Sequence, residues 1–436
     1  MKLNLLVTLL SAACLLPVSA HADKGVKPVF NGKQLYMPKD LQGIDMTDPE
    51  SKWSYARMDT TENIVIFWEK GFGNNLKNPP PLEGHNMAVD LDNLKGKLEA
   101  DYRFFRDSLK FVKPGSKSEK YRMMVMLNYS LEGTAYGGDY DRTIGALWLA
   151  PNRVQDKALN CIAHELGHSF QCQITADGEG VGWGGCGFYE MAAQWMLWQM
   201  NPRWMDDENY HWQAYRGLTH KAFLHLENIY HSPFVLEYWG MRMGKPFIAE
   251  LFRKGRQGED PVMTYKQLTG MSQAQFCDDI FHANSMIVNL DFPRVWKETR
   301  RHALQLSTPM VKCADGWLTP QADRVPENYG FNVIEVNVPK GKRCVEADFR
   351  GLQPTDATSE QAKKAGWRYG FVGVTADGKS VYGPIFSAKE GKATFSWSKT
   401  AKMEHVYLVV MGAPTEHWIT KEQGKDVKWN YKVRGI

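Results

Sequence analysis

The sequence predicts an α+β fold in which a mixed sheet and a helical region precede a C-terminal β-sandwich. Runs of β-branched and aromatic residues, such as 63–73, indicate strands before residue 155. From 189 to about 310, apolar residues recur every three or four positions, which indicates helices. From residue 330 onward, short alternating runs are separated by Gly, Pro and Lys, a spacing that is typical of a β-sandwich.

These changes of pattern divide the chain of 436 residues into segments. We expect a signal peptide at 1–22 and an N-terminal α/β subdomain with an edge strand at 23–155. A helical subdomain at 156–312, a linker at 313–329 and the sandwich at 330–436 follow. The linker is placed at 313–329 because its Gly, Pro and Asp residues favour turns.

The first 22 residues have the pattern of an export signal. An early lysine precedes an apolar run, and Ala20-His21-Ala22 is a small-x-small pattern, so we expect cleavage after Ala22. No later segment has the ~18 apolar residues that a membrane helix needs. The net charge is only +4, and basic runs such as 117–122 mix both signs. We therefore expect a secreted or periplasmic protein with no integral membrane segment and no nucleic-acid partner.

Export also favours disulfides over free thiols. Once Cys14 leaves with the signal peptide, an even number of cysteines remains: Cys161, Cys172, Cys186, Cys277, Cys313 and Cys344. Six cysteines allow ~15 pairings. The favoured local pairs are Cys172–Cys186 and Cys313–Cys344.

Within the N-terminal subdomain, the pattern predicts a helix at 88–112 and strands at 121–130 and 144–151. The Gly-rich stretch 132–142 between these strands indicates a turn. The next helix is predicted at 156–173, with Asn152 or Asp156 as its cap.

That helix contains the stretch ALNCIAHELGHSFQCQ at 158–173. An apolar stripe for the core steps along it by three, four and four residues: Leu159, Ile162, Leu166 and Phe170. His164 and His168 lie one turn apart on the far side, so the stripe would anchor the helix while both imidazoles face a cleft. Gly167, which is unfavourable inside a helix, indicates either a close approach of another backbone or simple tolerance.

Two histidines four residues apart can converge on one zinc ion, and Glu165 is then free to act as the general base toward water. A catalytic zinc needs three protein ligands and one open position. Ile174 stands where a longer histidine motif would place its third ligand, which leaves the carboxylates of Asp177, Glu179 and Glu190. Glu190 is the preferred ligand because it begins a helical segment that can return antiparallel, and Glu179, in a Gly-rich loop, is the reserve.

His164-Glu165-Leu166-Gly167-His168 followed by Glu190 resembles the gluzincin type of zinc metallopeptidase, which includes thermolysin-like enzymes. The motif is also similar to that of enhancin-like peptidases, which act on mucin-type glycoproteins. Over most of the mature chain, the sequence resembles the Svx/AvrXca virulence/avirulence family of secreted bacterial proteins, through ENIVIFWEKGFG, AHELGHSFQ, GFYEMAAQWM and YGFNVIEVNVP. The resemblance implies a zincin-like fold, Zn²⁺ as cofactor and peptidase activity on proteins or glycoproteins.

The resemblance also bears on the surroundings of the site. Thermolysin-like enzymes carry an Asp four residues after the glutamate ligand, bonded to a ligand histidine. Here that position is Gln194, which can accept the bond but lacks the charge. Zincins generally use an edge strand to pair with extended substrate, and 144–150 is in the right order for that role or for a buried strand without ligand contact.

A developing oxyanion is usually stabilised by a Tyr or His donor. Tyr230 and His231 are the preferred candidates, ahead of Tyr210 and His211. Aromatic residues of the C-terminal segment could form a platform for carbohydrate or could simply fill the core: Trp367, Tyr369, Tyr382, Trp397 and Trp418.

Two functions follow from these patterns. The first is an exported zinc metallopeptidase. The alternative is a non-catalytic secreted binding or effector protein, in which the zincin site is degenerate and the β domain recognises glycan or protein.

Overall fold

The computed structural model describes residues 27–180, 182–183, 187–420 and 426–436. The predicted signal peptide lies outside these residues. Across the described part of the chain, no helix is long and apolar enough to cross a membrane. The architecture is α+β, as the sequence predicts, with three sheets and an intervening helical region.

The N-terminal layer is a five-stranded mixed sheet of order β1-β2-β3-β5-β4. Its strands are β1 (Met58–Thr60), β2 (Ile64–Trp68), β3 (Met123–Leu127), β4 (Ala135–Tyr140) and β5 (Ile144–Leu149). The central strands β2, β3 and β5 are parallel, and β4 runs antiparallel to β5. Every residue of β2 and β3 is buried, which explains why both strands are continuous apolar runs. Helices α1 (Leu91–Asp107) and α2 (Lys117–Lys120) connect β2 to β3.

Of the two interpretations of 144–150, the structure agrees with the buried strand and not with the edge strand. β5 is an internal strand, and the edge is β4, within the stretch predicted to be a turn. Gly137 and Gly138 lower the strand propensity of β4 and so conceal it from a pattern-based prediction. The true turn is a tight hairpin at Asp141 and Arg142, both of which adopt positive φ.

The helical region follows the first sheet. Its helices are α3 (Asn160–Ala176), α4 (Phe188–Met200), α5 (Trp204–Asp207), α6 (Asn209–Arg216), α7 (Phe234–Met243), α8 (Pro246–Lys254), α9 (Pro261–Thr269), α10 (Gln273–Asn289) and α11 (Trp296–Thr299). Helix α3 packs its apolar stripe into the core, where Ile162, Leu166 and Phe170 are completely buried.

The predicted caps of α3 are wrong, because the helix begins at Asn160. Leu159 is the N-cap residue, in the left-handed conformation, with no side-chain cap. The Asp156 carboxylate instead accepts a hydrogen bond from the backbone N–H of Ala158, within the turn before the helix.

Two further sheets form the C-terminal sandwich, with orders β11-β10-β13-β8 and β12-β9-β14-β7-β6. The strands are β6 (Met310–Lys312), β7 (Leu318–Pro320), β8 (Phe331–Glu335), β9 (Cys344–Gly351), β10 (Trp367–Thr375), β11 (Ser380–Tyr382), β12 (Glu390–Ser396), β13 (Met403–Gly412) and β14 (Tyr431–Arg434); α12 (Ser359–Lys363) follows β9. Strand β7 falls within the segment 313–329 that the sequence analysis assigned to a linker. The strands of the sandwich therefore begin at Met310.

The two faces of the β10/β13 sheet pack differently. One face closes the core of the sandwich, where Trp367 and Tyr369 are each 1% exposed and cannot form a surface platform. Trp397 and Trp418 pack against the same core. The other face joins the core of the helical region, and the Tyr382 hydroxyl donates to Asp291 at 2.8 Å across this junction.

The predicted pair Cys313–Cys344 is not formed, since both residues are free. Cys344 begins β9 and Cys313 follows β6, and strands β14 and β7 separate β9 from β6 in the sheet. That separation is too wide for a disulfide. The other predicted pair involves Cys186, which lies outside the described residues.

Asp101 makes the stability of this fold dependent on pH. It lies in the buried stripe of α1 with Leu94, Leu98 and Phe105. Burial raises the pKa of the Asp101 carboxyl to about 7, above its value in the unfolded chain. Folding therefore takes up a proton, and the stability that is present below about pH 4 is lost as the pH rises through about 7.

We predict that Asp101→Asn, which imitates the protonated acid, makes the protein more stable than the wild type above pH 7. The pKa difference corresponds to a gain of at most about 4 kcal/mol. Urea denaturation at pH 4, 6 and 8 measures it, with exposed Asp92→Asn as the control. Parallel pH profiles for wild type and Asp101→Asn would contradict the prediction.

Candidate metal centre

His164, His168 and Glu190 form a compact cluster where α3 meets α4. The Nε2 atoms of the two histidines are 3.1 Å apart. Oε2 of Glu190 lies 3.1 Å from Nε2 of His164 and 3.0 Å from Nε2 of His168. One ion can contact all three atoms, since this triangle is close to one face of a tetrahedral zinc site with ligand bonds of ~2.0–2.2 Å.

Helical spacing on both helices produces this cluster. His164 and His168 are four residues apart on α3, and Glu190 and Gln194 are four residues apart on α4, so each pair lies on one face. Gly167 allows the two helices to approach closely, because a Cβ atom there would lie 3.3 Å from Cα of Ala193. Of the two explanations for Gly167, the structure therefore agrees with the close approach.

The side chain of Gln194 fixes the tautomer of His164. Its amide nitrogen donates to the carbonyl oxygen of Tyr230 at 3.1 Å, and a carbonyl can only accept. The amide oxygen must then be the atom that faces Nδ1 of His164, at 3.1 Å. The His164 proton is therefore on Nδ1, and the Nε2 lone pair points into the cluster.

Gln171 does the same for His168. Its amide nitrogen donates to the carbonyl oxygen of Tyr189 at 3.0 Å, so its amide oxygen accepts from Nδ1 of His168, also at 3.0 Å. When both imidazoles are neutral, their Nε2 atoms thus present lone pairs to each other and to a carboxylate. Three acceptors at this separation repel one another unless a cation lies between them, so the residues present fit a metal ion.

A chain of hydrogen bonds continues from Gln194 away from the cluster. Nε2 of Gln194 donates to Nε2 of His211 at 2.9 Å, so His211 carries its proton on Nδ1, which lies 2.7 Å from Nδ1 of His231. Burial, with His231 and His164 nearby, lowers the pKa of His211 to about 3. His211 is consequently a neutral, ordered link in this chain.

Glu165 lies beside the cluster and is tied to the edge strand. Its Oε2 accepts a hydrogen bond from the backbone N–H of Gly137 on β4 at 2.8 Å. Burial raises the pKa of the Glu165 carboxyl. A Cβ atom on residue 137 would lie 1.8 Å from the Glu165 carbonyl oxygen, so only glycine permits this contact between β4 and α3.

Of the predicted oxyanion donors, Tyr230 is the one at the cluster. Its ring stacks on His164, with centroids 6.2 Å apart, and it is 42% exposed. Burial and the Glu190 carboxylate raise the pKa of Tyr230 to about 12. His231 faces away toward His211, His211 lies behind Gln194, and Tyr210 is 63% exposed against the His211 ring.

The two other candidate carboxylates have different roles. Glu179, the reserve ligand, pairs with Arg253 at 2.9 Å and Lys113 at 3.3 Å and is not part of the cluster. Asp177 accepts from the Ser116 hydroxyl at 2.5 Å and from the backbone N–H of Lys117 at 2.9 Å. It therefore anchors the beginning of α2.

Two further residues of the site, Gln171 and Gly137, were not predicted from the sequence. Gln171 is three residues after His168, a same-face spacing that could have indicated a hydrogen-bond partner. Gly137 gave no such signal, because its contact with Glu165 joins elements that are 28 residues apart.

The fold and the cluster define an α+β protein with a candidate mononuclear metal centre on an H-E-x-x-H helix. The chain belongs to DUF6055, a family of unknown function, whose sequence profile matches residues 27–435. No curated protein matches the chain.

Removing the Gln194 amide should weaken metal binding at this centre. We predict that Gln194→Met lowers zinc affinity ~10–100-fold, because the His164 ring loses the acceptor that fixes its proton on Nδ1. Competition with a chromogenic chelator measures the affinity. Gln267→Met, an exposed substitution on α9, is the control and should leave the affinity unchanged. Equal affinities for the two variants would contradict the assigned tautomer.

Proposed function

We propose that the chain is an exported zinc-dependent peptidase of the gluzincin type, which hydrolyses peptide bonds in proteins or glycoproteins. The observation that carries the proposal is the convergence of two Nε2 lone pairs and the Glu190 carboxylate, with Glu165 beside them but outside the ligand set. A purely structural site has no use for an additional, partly buried carboxylate at this position. The resemblance to zincins supports the same proposal.

His164, His168 and Glu190 would hold the zinc. A zinc ion with an open position acidifies bound water and polarises a carbonyl oxygen. Glu165 takes a proton from water as that water attacks the scissile carbonyl carbon, and then donates the proton to the leaving amine nitrogen. The hydrogen bond from Gly137 holds the carboxylate in place during both transfers.

Two further features suit a peptide substrate. β4 is the edge of its sheet, so its outer side can pair with an extended peptide through backbone hydrogen bonds. Because Gly137 on this strand bonds Glu165, a peptide paired with β4 would run beside the general base. Tyr230 stacks on the His164 ring and can donate to the oxyanion that forms during attack.

The role of Glu165 can be tested without disturbing the metal. We predict that Glu165→Gln retains its zinc but loses ~10²–10⁴-fold in turnover, because the amide cannot accept the proton from water. Elemental analysis and hydrolysis of fluorescence-quenched casein report the two properties. Glu179→Gln, outside the cluster, is the matched control and should remain active.

Unchanged hydrolysis by Glu165→Gln would refute the mechanism. If the wild type binds zinc and hydrolyses no protein or glycoprotein, the site is degenerate and the alternative of a secreted binding or effector protein is favoured.

Tyr230 has a separate test. We predict that Tyr230→Phe lowers kcat ~10²–10³-fold with little change in KM or zinc content, because the lost hydroxyl would stabilise only the transition state. His231→Phe is the comparison, since His231 faces His211 and should have a smaller effect on kcat. A larger loss of kcat for His231→Phe than for Tyr230→Phe would indicate that His231, and not Tyr230, is the oxyanion donor.

A further inference from the structure

We propose a second metal site, formed by His225, Glu327 and Asp426, that binds a divalent ion of the zinc or manganese type and joins the helical region to the sandwich. His225 precedes α7 within the helical region. Glu327 precedes β8, and Asp426 precedes β14 of the sandwich. The site is separate from the centre on α3 and does not depend on the proposed peptidase activity.

The three side chains converge in the interior. One ligand atom from each lies within 4.8 Å of the others, and Nε2 of His225 is 3.9 Å from Oδ2 of Asp426. His225, Glu327 and Asp426 are 8%, 3% and 8% exposed. The distance between His225 and Asp426 is longer than the corresponding distances at the α3 centre, so an ion between them would have room for water or another ligand as well.

His225 provides an independent indication of a ligand. Its Nε2 is fully buried and has no hydrogen-bond partner among the described residues, and it lies on the side of the ring that faces Asp426. Buried polar nitrogens are rarely left without a partner, because desolvation is then uncompensated. A metal ion between Nε2 and the carboxylates would satisfy all three groups.

Among the described residues, the charge of the cluster is only partly compensated: the two buried carboxylates face the ammonium group of Lys221, which is 3.5 Å from Glu327. Lys221 is shared, since it lies 3.5 Å from Glu227 as well. A divalent cation would supply the missing positive charge, and Lys221 could then pair with Glu227.

The hydrogen bonds that these three side chains already make determine which of them must change when a metal ion binds. Oε2 of Glu327 accepts from the backbone N–H of Ala222 at 3.0 Å, and Oδ1 of Asp426 accepts from the Thr420 hydroxyl at 3.1 Å. Each carboxylate keeps its second oxygen for a metal. Nδ1 of His225 accepts from the backbone N–H of Glu227 at 3.1 Å. Metal on Nε2 would move the imidazole proton to Nδ1, which could then no longer accept a hydrogen bond. Glu227 is exposed, so its backbone N–H would donate to water instead.

The donor set selects the class of ion. One imidazole with two carboxylates suits zinc or manganese. Calcium prefers a shell of six to eight oxygen ligands, which this site does not provide. The ligands are about 100 residues apart in sequence, 225, 327 and 426, so a bound ion would crosslink distant parts of the chain.

Metal counting on the full mature chain tests this site separately from the first. After dialysis against zinc and then against metal-free buffer, we expect two zinc equivalents in the wild type, one in His168→Ala, one in His225→Gln and none in the double variant. The His168→Ala protein should also melt at a higher temperature as free zinc or manganese increases, and the double variant should not.

Each result is informative. A folded His168→Ala protein that binds no zinc or manganese and shows no shift in melting temperature would overturn the second site. Metal that persists in the double variant would also overturn it, since the ion would lie elsewhere. If His225→Gln does not fold, the isosteric variants Glu327→Gln and Asp426→Asn take its place. One equivalent that is lost in His225→Gln and retained in His168→Ala would support this site and reject the first.

Discussion

The close packing of α3 against α4 is the constraint on which the candidate centre depends. Two imidazoles on one helix can bind an ion only if the next helix brings a carboxylate within ligand distance, and Gly167 allows this by leaving room for Ala193. The buried stripe of α3 fixes its rotation, so that the histidines face α4. Gly137 fixes the contact between β4 and Glu165, which lies beside the cluster. A small change in any of these contacts would separate the side chains of the candidate centre.

Local periodicity explains what the sequence could predict. The pairing of His164 with His168 depends only on helical geometry, and the choice of Glu190 depended on a chain length sufficient for an antiparallel return. The α+β class and the sandwich could be predicted in the same way, because the alternation of apolar residues in strands and their spacing in helices are visible in short stretches of sequence. Strand β4 was missed because its two central glycines carry no side chains to show the alternation.

Contacts between distant segments explain what the sequence could not predict. The orientation of the Gln194 amide depends on the carbonyl of Tyr230, which is 36 residues away. The strand order of the β12-β9-β14-β7-β6 sheet, which separates Cys313 from Cys344, is likewise a tertiary property. The cluster of His225, Glu327 and Asp426 has no motif in sequence, since its members come together only when the sandwich packs on the helices.

The amides of Gln171 and Gln194 have a consequence for acidic surroundings. A carboxylate in their place would itself gain a proton as the pH fell, and would then cease to orient its imidazole. A carboxamide does not titrate over that range, so the scaffold behind His164 and His168 stays the same while the ligands themselves respond to acid. Acid would thus release a bound ion by protonating its ligands, while the hydrogen bonds that orient the two imidazoles remain. The centre could then bind an ion again after neutralisation.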